Sequence, residues 1–440
     1  MRSPLLASLT LAVSLVLSLA FSLVLSLPAS AQDRPPLTLR AALAEALSRN
    51  AELIALRQEY EAARAAPLQE RFLMPPSFET QIWGWPITTL NPARTDMFMF
   101  TGEQEIPGRG KRAARALVSE REAEVSHQRV LVRTNELLND ITQAYLEVGL
   151  ARETLTIYDH QLPMLHDMAD AATQRYAAGQ AGQRDTVVAI GEMTRLHDAQ
   201  ITSRERGRLA EARLNALLGR EPGATVESLS RHRGATPPGT AELERVALQR
   251  HPQMAMAAAE VARESAELAR LRGDRRPDFV VGGGYMLQPG GAGAWTARAG
   301  MTWPNAPWSR RRLDAAIDAQ AKRVAAATAR RDSTAAGIRR LVEETVIHFD
   351  AARERVALLQ TTVLPHAEHE FGLARVSYTA SRGTFGDVID SQRMLLSAEV
   401  DRAAALADLE RALADVESAT GGPPDDESSP VPPSAEETRR

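Results

Sequence analysis

The sequence contains no cysteine, and only 5% of its 440 residues are aromatic. The absence of cysteine excludes disulfide bonds, thiolate metal sites, cysteine nucleophiles and a lipid attached to an N-terminal cysteine. The nearly balanced net charge of −4 argues against nucleic acid as a partner. No metalloprotease, serine-hydrolase, phosphate-loop or dinucleotide-binding motif occurs either, so the sequence does not indicate an enzyme.

The first 31 residues differ from the rest of the chain. Arg2 precedes a Leu/Val/Ala/Ser run over 5–27, and Pro28-Ala29-Ser30-Ala31 ends this run with small residues. The pattern predicts a secretory signal peptide over 1–31, cleaved before Gln32, and the alternative is an uncleaved anchor. No later segment approaches 18 consecutive apolar residues. We therefore expect an exported protein of the periplasm, the outer membrane or the outside of the cell.

What the chain does contain is an internal duplication. Leu162-Pro163, Tyr176, Asp185 and Gly219 recur 202 residues later, as Leu364-Pro365, Tyr378, Asp387 and Gly421. The offset is 201 for Ala46–Arg49 and 200 for Pro107. A repeat of this length is too long for a solenoid and indicates one unit used twice around a common axis. We predict a first repeat over 32–219, a linker over 220–239, a second repeat over 240–421 and a disordered tail over 422–440.

Apolar residues recurring at three and four positions predict long helices in both repeats. The segments are 39–72, 108–178, 185–218, 241–271, 309–380 and 384–420. The two longest would each reach about 105 Å, and the others about half of that. We expect 185–218 and 241–271 to retrace 108–178, and 384–420 and 39–72 to retrace 309–380. Irregular heptads and frequent alanine disfavour the alternative, a cytoskeletal coiled coil.

Each repeat also carries a non-helical insert, over about 75–107 and 276–307. Four of the five tryptophans lie there: Trp83, Trp85, Trp295 and Trp303. From Trp295 to Trp303 apolar and polar residues alternate, which is typical of a transmembrane β-strand with aromatic residues at the membrane interfaces. Soluble hairpins packed on the helices are the alternative. A membrane role would require oligomerisation, because four strands cannot close a barrel.

Several segments over about 37–421 resemble the TolC-type outer-membrane efflux factors. They are Leu37-Thr38-Leu39-Arg40-Ala41-Ala42-Leu43, Gln104-Glu105-Ile106-Pro107-Gly108-Arg109-Gly110-Lys111-Arg112, Arg175-Tyr176-Ala177-Ala178-Gly179 and Leu214-Asn215-Ala216-Leu217-Leu218-Gly219. The second of them is most similar to the heavy-metal branch, which is associated with resistance-nodulation-division pumps.

The resemblance implies a mainly α protein with membrane β-structure. In a homotrimer, four strands per protomer would complete a 12-stranded barrel in outer-membrane lipid, above a long α-helical periplasmic tunnel. It implies a passive duct without a cofactor, which exports metal ions or small toxic compounds and docks a periplasmic adaptor and an inner-membrane pump. The alternative function is a periplasmic adaptor, but adaptors carry one coiled-coil hairpin and this chain carries two.

The resemblance also assigns residues at the turns that end the long helices. Tyr378, Asp387 and Asp390 would form a pore gate, where six carboxylates of a trimer attract cations and raise one another's pKa values. A structural alternative is a capping box of Thr384 and Asp387. The tip that the adaptor grips would comprise Arg175, Tyr176, Gly179, Gly182, Ser381, Arg382 and Gly383.

One further group has metal-binding chemistry. His366, His369 and Glu370 would lie on one helical turn and could bind zinc or copper. Histidines three apart without a carboxylate partner elsewhere are more often surface residues, so we expect no metal site there.

Overall fold

The structure is a computed structural model that describes residues 37–88, 91, 94–179, 182–226 and 237–422. The predicted signal peptide, residues 227–236 of the predicted linker and residues 423–440 of the predicted tail lie outside this part of the chain. The described residues form long helices and four strands, as predicted. In chain order these elements are α1 (Leu39–Arg49), α2 (Ala51–Arg71), β1 (Ser77–Trp83), β2 (Met97–Ile106), α3 (Lys111–Ala177), α4 (Gln183–Leu217), α5 (Thr240–Arg250), α6 (Pro252–Gly273), β3 (Phe279–Leu287), β4 (Ala294–Met301), α7 (Arg310–Leu358), a π-turn (Leu359–Val363), α8 (Leu364–Thr379) and α9 (Phe385–Ala419).

Two rods of about 100 Å organise the molecule. The first is α3, with 67 residues, and the second consists of α7, the π-turn and α8, which follow one another without a break. Both α4 and α6 pack along α3, and α9 packs along α7 and α8, as predicted. The predicted pairing of 39–72 with the second rod is wrong within this chain, because α2 packs along α3. Among the described helices, none is long and apolar enough to cross a membrane.

Two of the four shorter predicted helices, 39–72 and 241–271, are each interrupted by one extended residue. Asn50 separates α1 from α2, and its side chain accepts a hydrogen bond from the Leu53 amide at 3.1 Å. His251 separates α5 from α6, where its Nδ1 accepts from the Gln253 amide at 3.2 Å and Pro252 begins the next helix. Apolar periodicity continues through both breaks, so it predicted one helix where two capped helices occur.

A glycine from the end of each repeat packs against these breaks. Gly219 and Gly421 have φ of 70° and 96°, in the left-handed region that favours glycine. A Cβ atom on Gly219 would lie 2.9 Å from the carbonyl oxygen of Arg49, and one on Gly421 would lie 2.9 Å from that of Arg250. The duplication therefore repeats a backbone contact as well as a sequence motif.

The π-turn marks a difference between the two repeats. Buried Leu137 and Ile141 of α3 correspond to buried Ile338 and Val342 of α7 at an offset of 201, whereas the later Leu-Pro pair has an offset of 202. One extra residue therefore lies between 342 and 364, the interval that contains the π-turn. A π-turn absorbs one additional residue without ending the helix.

The four strands form one antiparallel sheet in the order β1-β2-β3-β4, so the two repeats join where β2 pairs with β3. Trp295 lies on an apolar face beside Tyr285, with ring centres 5.0 Å apart. Trp83 lies on the opposite face, where its Nε1 donates to Gln81 at 3.1 Å. Trp85 and Trp303 follow the ends of β1 and β4. The predicted interface tryptophans therefore do not all share one face.

Candidate functional site

The α3–α4 and α8–α9 connections lie side by side at one end of the rods. Gly179 in the first turn has a φ of 71°, and Gly182 precedes α4. In the second turn Ser381 has a φ of 57°, and it is the one non-glycine residue in the described part of the chain with a positive value. The amides of Arg382 and Gly383 both donate to the Ser377 carbonyl, at 2.8 and 3.1 Å. The second turn thus closes tightly despite its non-glycine residue.

Arg175 connects the two turns. Its Nη1 donates to the Tyr378 carbonyl at 2.9 Å, and its Nη2 donates to the Ser381 hydroxyl at 3.0 Å. The same guanidinium lies 4.4 Å from the centre of the Tyr378 ring, within cation–π range. Burial raises the pKa of the Tyr378 phenol. The sequence placed Arg175 in the docking tip and gave no indication that it links both repeats.

Asp387 caps the first turn of α9. Its carboxylate accepts from the Thr384 amide at 2.9 Å, and its own amide donates to the Thr384 hydroxyl at 3.2 Å, so the predicted capping box is present. The hydrogen bonds from Thr384, first the one from its backbone, lower the pKa of the Asp387 carboxyl. Within one chain this shift runs opposite to the rise expected from six crowded carboxylates.

The two predicted gate carboxylates lie on one exposed stripe of α9. Asp387 and Asp390 are exposed, and Met394 and Ser397 continue the stripe at helical spacing. On the other side of the helix Phe385 and Ile389 pack on the first repeat. Neither carboxylate is therefore buried in the packing between α9 and the first repeat.

An ion pair that the sequence did not predict joins α9 to α4. Arg393 donates from Nε and Nη2 to one oxygen of Glu192, at 2.8 and 2.6 Å, and from Nη1 to Asp390 at 3.2 Å. The Glu192 side chain is only 4% exposed. Only helical spacing marks Glu192 in the sequence, since it lies between Ala189 and Leu196 on the same buried side of α4.

A cleft of about 490 Å³ lies between α3, α8 and α9, and its lining includes Arg175 and Tyr378. Met168, Phe371 and Phe385 contribute apolar side chains to its lining, and Arg175, Arg375 and Asp167 contribute charged ones. The cleft therefore suits an amphipathic protein segment better than a hydrophilic solute.

Metal-binding clusters of three or more His, Asp or Glu side chains are not found in the described ranges. His366, His369 and Glu370 are exposed on α8. They lie near the beginning of α8 and not at the turns.

The sequence model of the outer membrane efflux proteins matches residues 42–220 and 243–422, once for each repeat. The chain therefore belongs to the outer membrane efflux protein family, and it is an outer-membrane efflux channel. Members of this family are the outer-membrane components of efflux systems that include adaptor and pump partners. The match decides in favour of the channel and against the alternative of a periplasmic adaptor.

Individual proteins are similar to the chain in sequence or in fold. The chain is 26% identical to the cobalt-zinc-cadmium resistance protein CzcC of Cupriavidus metallidurans over 371 residues, which covers 83% of this chain and 85% of CzcC. Its fold matches the outer-membrane channel OprN with a TM-score of 0.74 and 19% identity, covering 88% of this chain and 90% of OprN. It also matches VceC of Vibrio cholerae, with a TM-score of 0.72 and 15% identity, over 87% and 96% of the two chains.

Proposed function

We propose that the chain forms a homotrimer in which twelve strands close one barrel in outer-membrane lipid, above a helical periplasmic tunnel. The observation that carries this proposal is the open sheet, in which β1 pairs with β2, β4 pairs with β3, and neither outer edge has a strand partner among the described residues. Free edges leave backbone groups unsatisfied in lipid, and about eight strands are the minimum for closure. Pairing β4 of one copy with β1 of the next removes every edge.

The helices support the same closure. In the second repeat, α6 lies between α3 and α7 and packs on both. Its equivalent in the first repeat, α2, packs along α3 and leaves Ile54 and Leu68 exposed at 41% and 61%. By quasi-equivalence, the exposed side of α2 receives α7 of a neighbouring copy, which buries these apolar side chains.

A crosslinking experiment follows from the repeat offset. Arg263 of α6 and Glu122 of α3 form a salt bridge at 3.0 Å within the chain. At an offset of 201, their equivalents are Ala62 and Arg323, which the proposal places beside each other in neighbouring copies. Because the natural chain has no cysteine, the pair Ala62→Cys and Arg323→Cys can be joined with a short bismaleimide without background reaction.

The expected product is a covalent trimer on denaturing gels. The matched control, Arg263→Cys with Glu122→Cys, joins two helices of one chain and should give only crosslinked monomer. Monomer as the sole product of the Ala62/Arg323 pair, from protein in outer-membrane fractions, would overturn the trimer.

The pairing register of the strands divides the four predicted interface tryptophans into two groups. Trp295 lies on the apolar face and is 83% exposed, and Trp85 and Trp303 flank the strands with 43% and 61% exposure. We assign these three tryptophans to the lipid interface. Trp83 shares a face with Glu79 and Gln81 and is assigned to the barrel interior.

The tip residues would dock the periplasmic adaptor, through which the channel engages a pump of the resistance-nodulation-division type. The apolar cleft between α3, α8 and α9 supports this role, as does Tyr176, which is 47% exposed at the first turn. The docking surface comprises Arg175, Tyr176, Gly179, Gly182, Ser381, Arg382 and Gly383.

We assign divalent metal cations as the substrate. The exposed stripe with Asp387 and Asp390, beside Tyr378, would give a trimer six carboxylates around one gate, and such rings attract cations. The name of CzcC, a cobalt-zinc-cadmium resistance protein, points the same way. A deletion strain should become sensitive to cobalt, zinc or cadmium, and the wild-type chain should restore resistance. Sensitivity to organic drugs alone would overturn the metal assignment.

A further inference from the structure

All the charged side chains of the four strands lie on one face of the sheet. Directly paired residues project to the same side, and residues two apart along a strand share that side. The pairing register therefore places these four residues together: Glu79, Glu103, Glu105 and Arg298. The opposite face carries Phe100, Tyr285 and Trp295, which are paired in one row. The charged face is thus the one that would line water inside the barrel.

Glu103 and Arg298 form an ion pair that spans an intervening strand. Glu103 on β2 pairs with Gly282 on β3, and Gly282 pairs with Arg298 on β4. Arg298 Nη1 nevertheless lies 2.5 Å from Glu103 Oε1. The glycine makes this possible, because a Cβ at position 282 would lie 2.9 Å from Glu103 Cγ and 2.9 Å from the Gly102 carbonyl oxygen.

This pair contributes little to stability. The side chains of Arg298 and Glu103 are 73% and 33% exposed, and exposed ion pairs typically stabilise a protein by about 0–1 kcal/mol. Inside a water-filled pore with low-dielectric walls, however, fixed charges act strongly on passing ions. Arg298 is the one cation among three carboxylates on this face, so it determines how negative the wall is.

We propose that Glu103 and Arg298 set the ion selectivity of the barrel interior, an inference that rests on the proposed trimeric barrel. The carboxylates favour cations. Arg298 forms an ion pair with the Glu103 carboxylate. A divalent cation that passes Glu103 in the barrel is therefore not held there. Conduction requires binding weak enough for the ion to leave, and an unpaired Glu103 in each of three chains would bind divalent cations more tightly.

The test is the reversal potential of purified channels in planar bilayers under a KCl gradient. All variants are made in an Asp387→Asn/Asp390→Asn background, so that the tip carboxylates do not dominate selectivity. Arg298→Gln should raise the potassium-to-chloride permeability ratio by roughly two- to tenfold, and Glu103→Gln should lower it by a similar factor. Arg298→Gln should also increase block by zinc ions, and the double variant should return both properties towards the parent. The matched controls are Glu242→Gln and Arg245→Gln, which remove an exposed ion pair on α5 and should change neither property.

Failure of the inference can be distinguished from failure of the proposed function. A parent protein that forms no channel would overturn the barrel and the inference together. A conducting parent whose single variants keep the same permeability ratio, or shift it in the same direction, would overturn only the role of the ion pair. If Glu103→Gln does not assemble, Arg298→Gln alone tests the role of the ion pair, because it is expected to raise the potassium-to-chloride permeability ratio.

Discussion

Arg393 and Glu192 belong to different repeats, and the Arg393 guanidinium donates two hydrogen bonds to the Glu192 carboxylate at 2.8 and 2.6 Å. The pair holds the beginning of α9 against α4, while the same arginine reaches the proposed gate residue Asp390 at 3.2 Å. Any outward movement of the α8–α9 tip must therefore break a contact to a carboxylate that is only 4% exposed.

Arg393→Gln should loosen the tip. The substitution removes two hydrogen bonds to the buried Glu192 carboxylate and leaves it only the longer ion pair with Arg195 at 3.7 Å, which costs about 1–3 kcal/mol of local stability. We expect faster hydrogen exchange in the first turns of α9 and a larger single-channel conductance. The double variant Glu192→Gln/Arg393→Gln removes the weakly paired buried charge and should recover part of the exchange protection. Unchanged exchange and conductance in the single variant would show that the pair does not restrain the tip.

Asp387→Asn with Asp390→Asn should reduce cation selectivity and block by multivalent cations in planar bilayers, because the proposed gate loses six charges in a trimer. Hydrogen bonds from Thr384 lower the pKa of Asp387. A depressed carboxyl pKa keeps the charge as pH falls through about 4 and loses it only below that value. Selectivity of the unsubstituted channel should therefore persist at pH 5. Equal selectivity of the Asn variant and the parent would refute the gate assignment.

His251 should make the joint between α5 and α6 sensitive to acid. Burial lowers the pKa of its imidazole below the ordinary 6.5, and its Nδ1 accepts the capping hydrogen bond from Gln253, which only an unprotonated Nδ1 can do. Because the unfolded chain binds a proton at higher pH than the folded chain, this contribution to stability is complete above pH 6.5. It declines as the pH falls from 6.5 to the folded pKa.

The first repeat supplies the control for His251, since Asn50 performs the same capping role there. His251→Asn should keep the cap and flatten the dependence of thermal stability on pH between about 5 and 7. A variant that retains the slope of the parent would assign the pH dependence to other groups.

Deletion of Thr361 should be tolerated. The π-turn contains the residue that the second repeat has in excess, so the deletion converts it to ordinary helix with the spacing of the first repeat. We expect the deletion variant to assemble and to lose about 1 kcal/mol or less. Deletion of His160, the exposed equivalent in the regular helix α3, shifts every later apolar residue by about 100° and should prevent assembly. Similar behaviour of the two deletions would contradict the assignment of the extra residue.

The helical part of the fold was accessible from sequence because its period is local. Apolar spacing located α3 and α4 closely, and the alternation from Trp295 onwards located β4. The breaks at Asn50 and His251 escaped because a single capping residue does not disturb that period. The capping box of Thr384 and Asp387 was predicted, since both partners lie within one turn.

The links across the site were much less accessible. Arg175 meets Tyr378 and Ser381 across more than 200 residues, and Glu192 meets Arg393 across 201. Such pairs depend on how two helical hairpins pack against each other. The only indication of this packing in the sequence is Glu192, a carboxylate among the buried apolar residues of α4.

The sequence by itself determined that one unit is used twice and that each use supplies a pair of strands and long rods. These properties follow from periodicity and spacing, which act along the chain. Only the tertiary structure decided that α2 packs on α3, that the two turns share Arg175, that Trp83 and Trp295 lie on opposite faces, and that Glu103 reaches Arg298 over Gly282. Each of these depends on the register of one element against another, because a shift of one residue in a strand or one turn in a helix exchanges the side chains that meet.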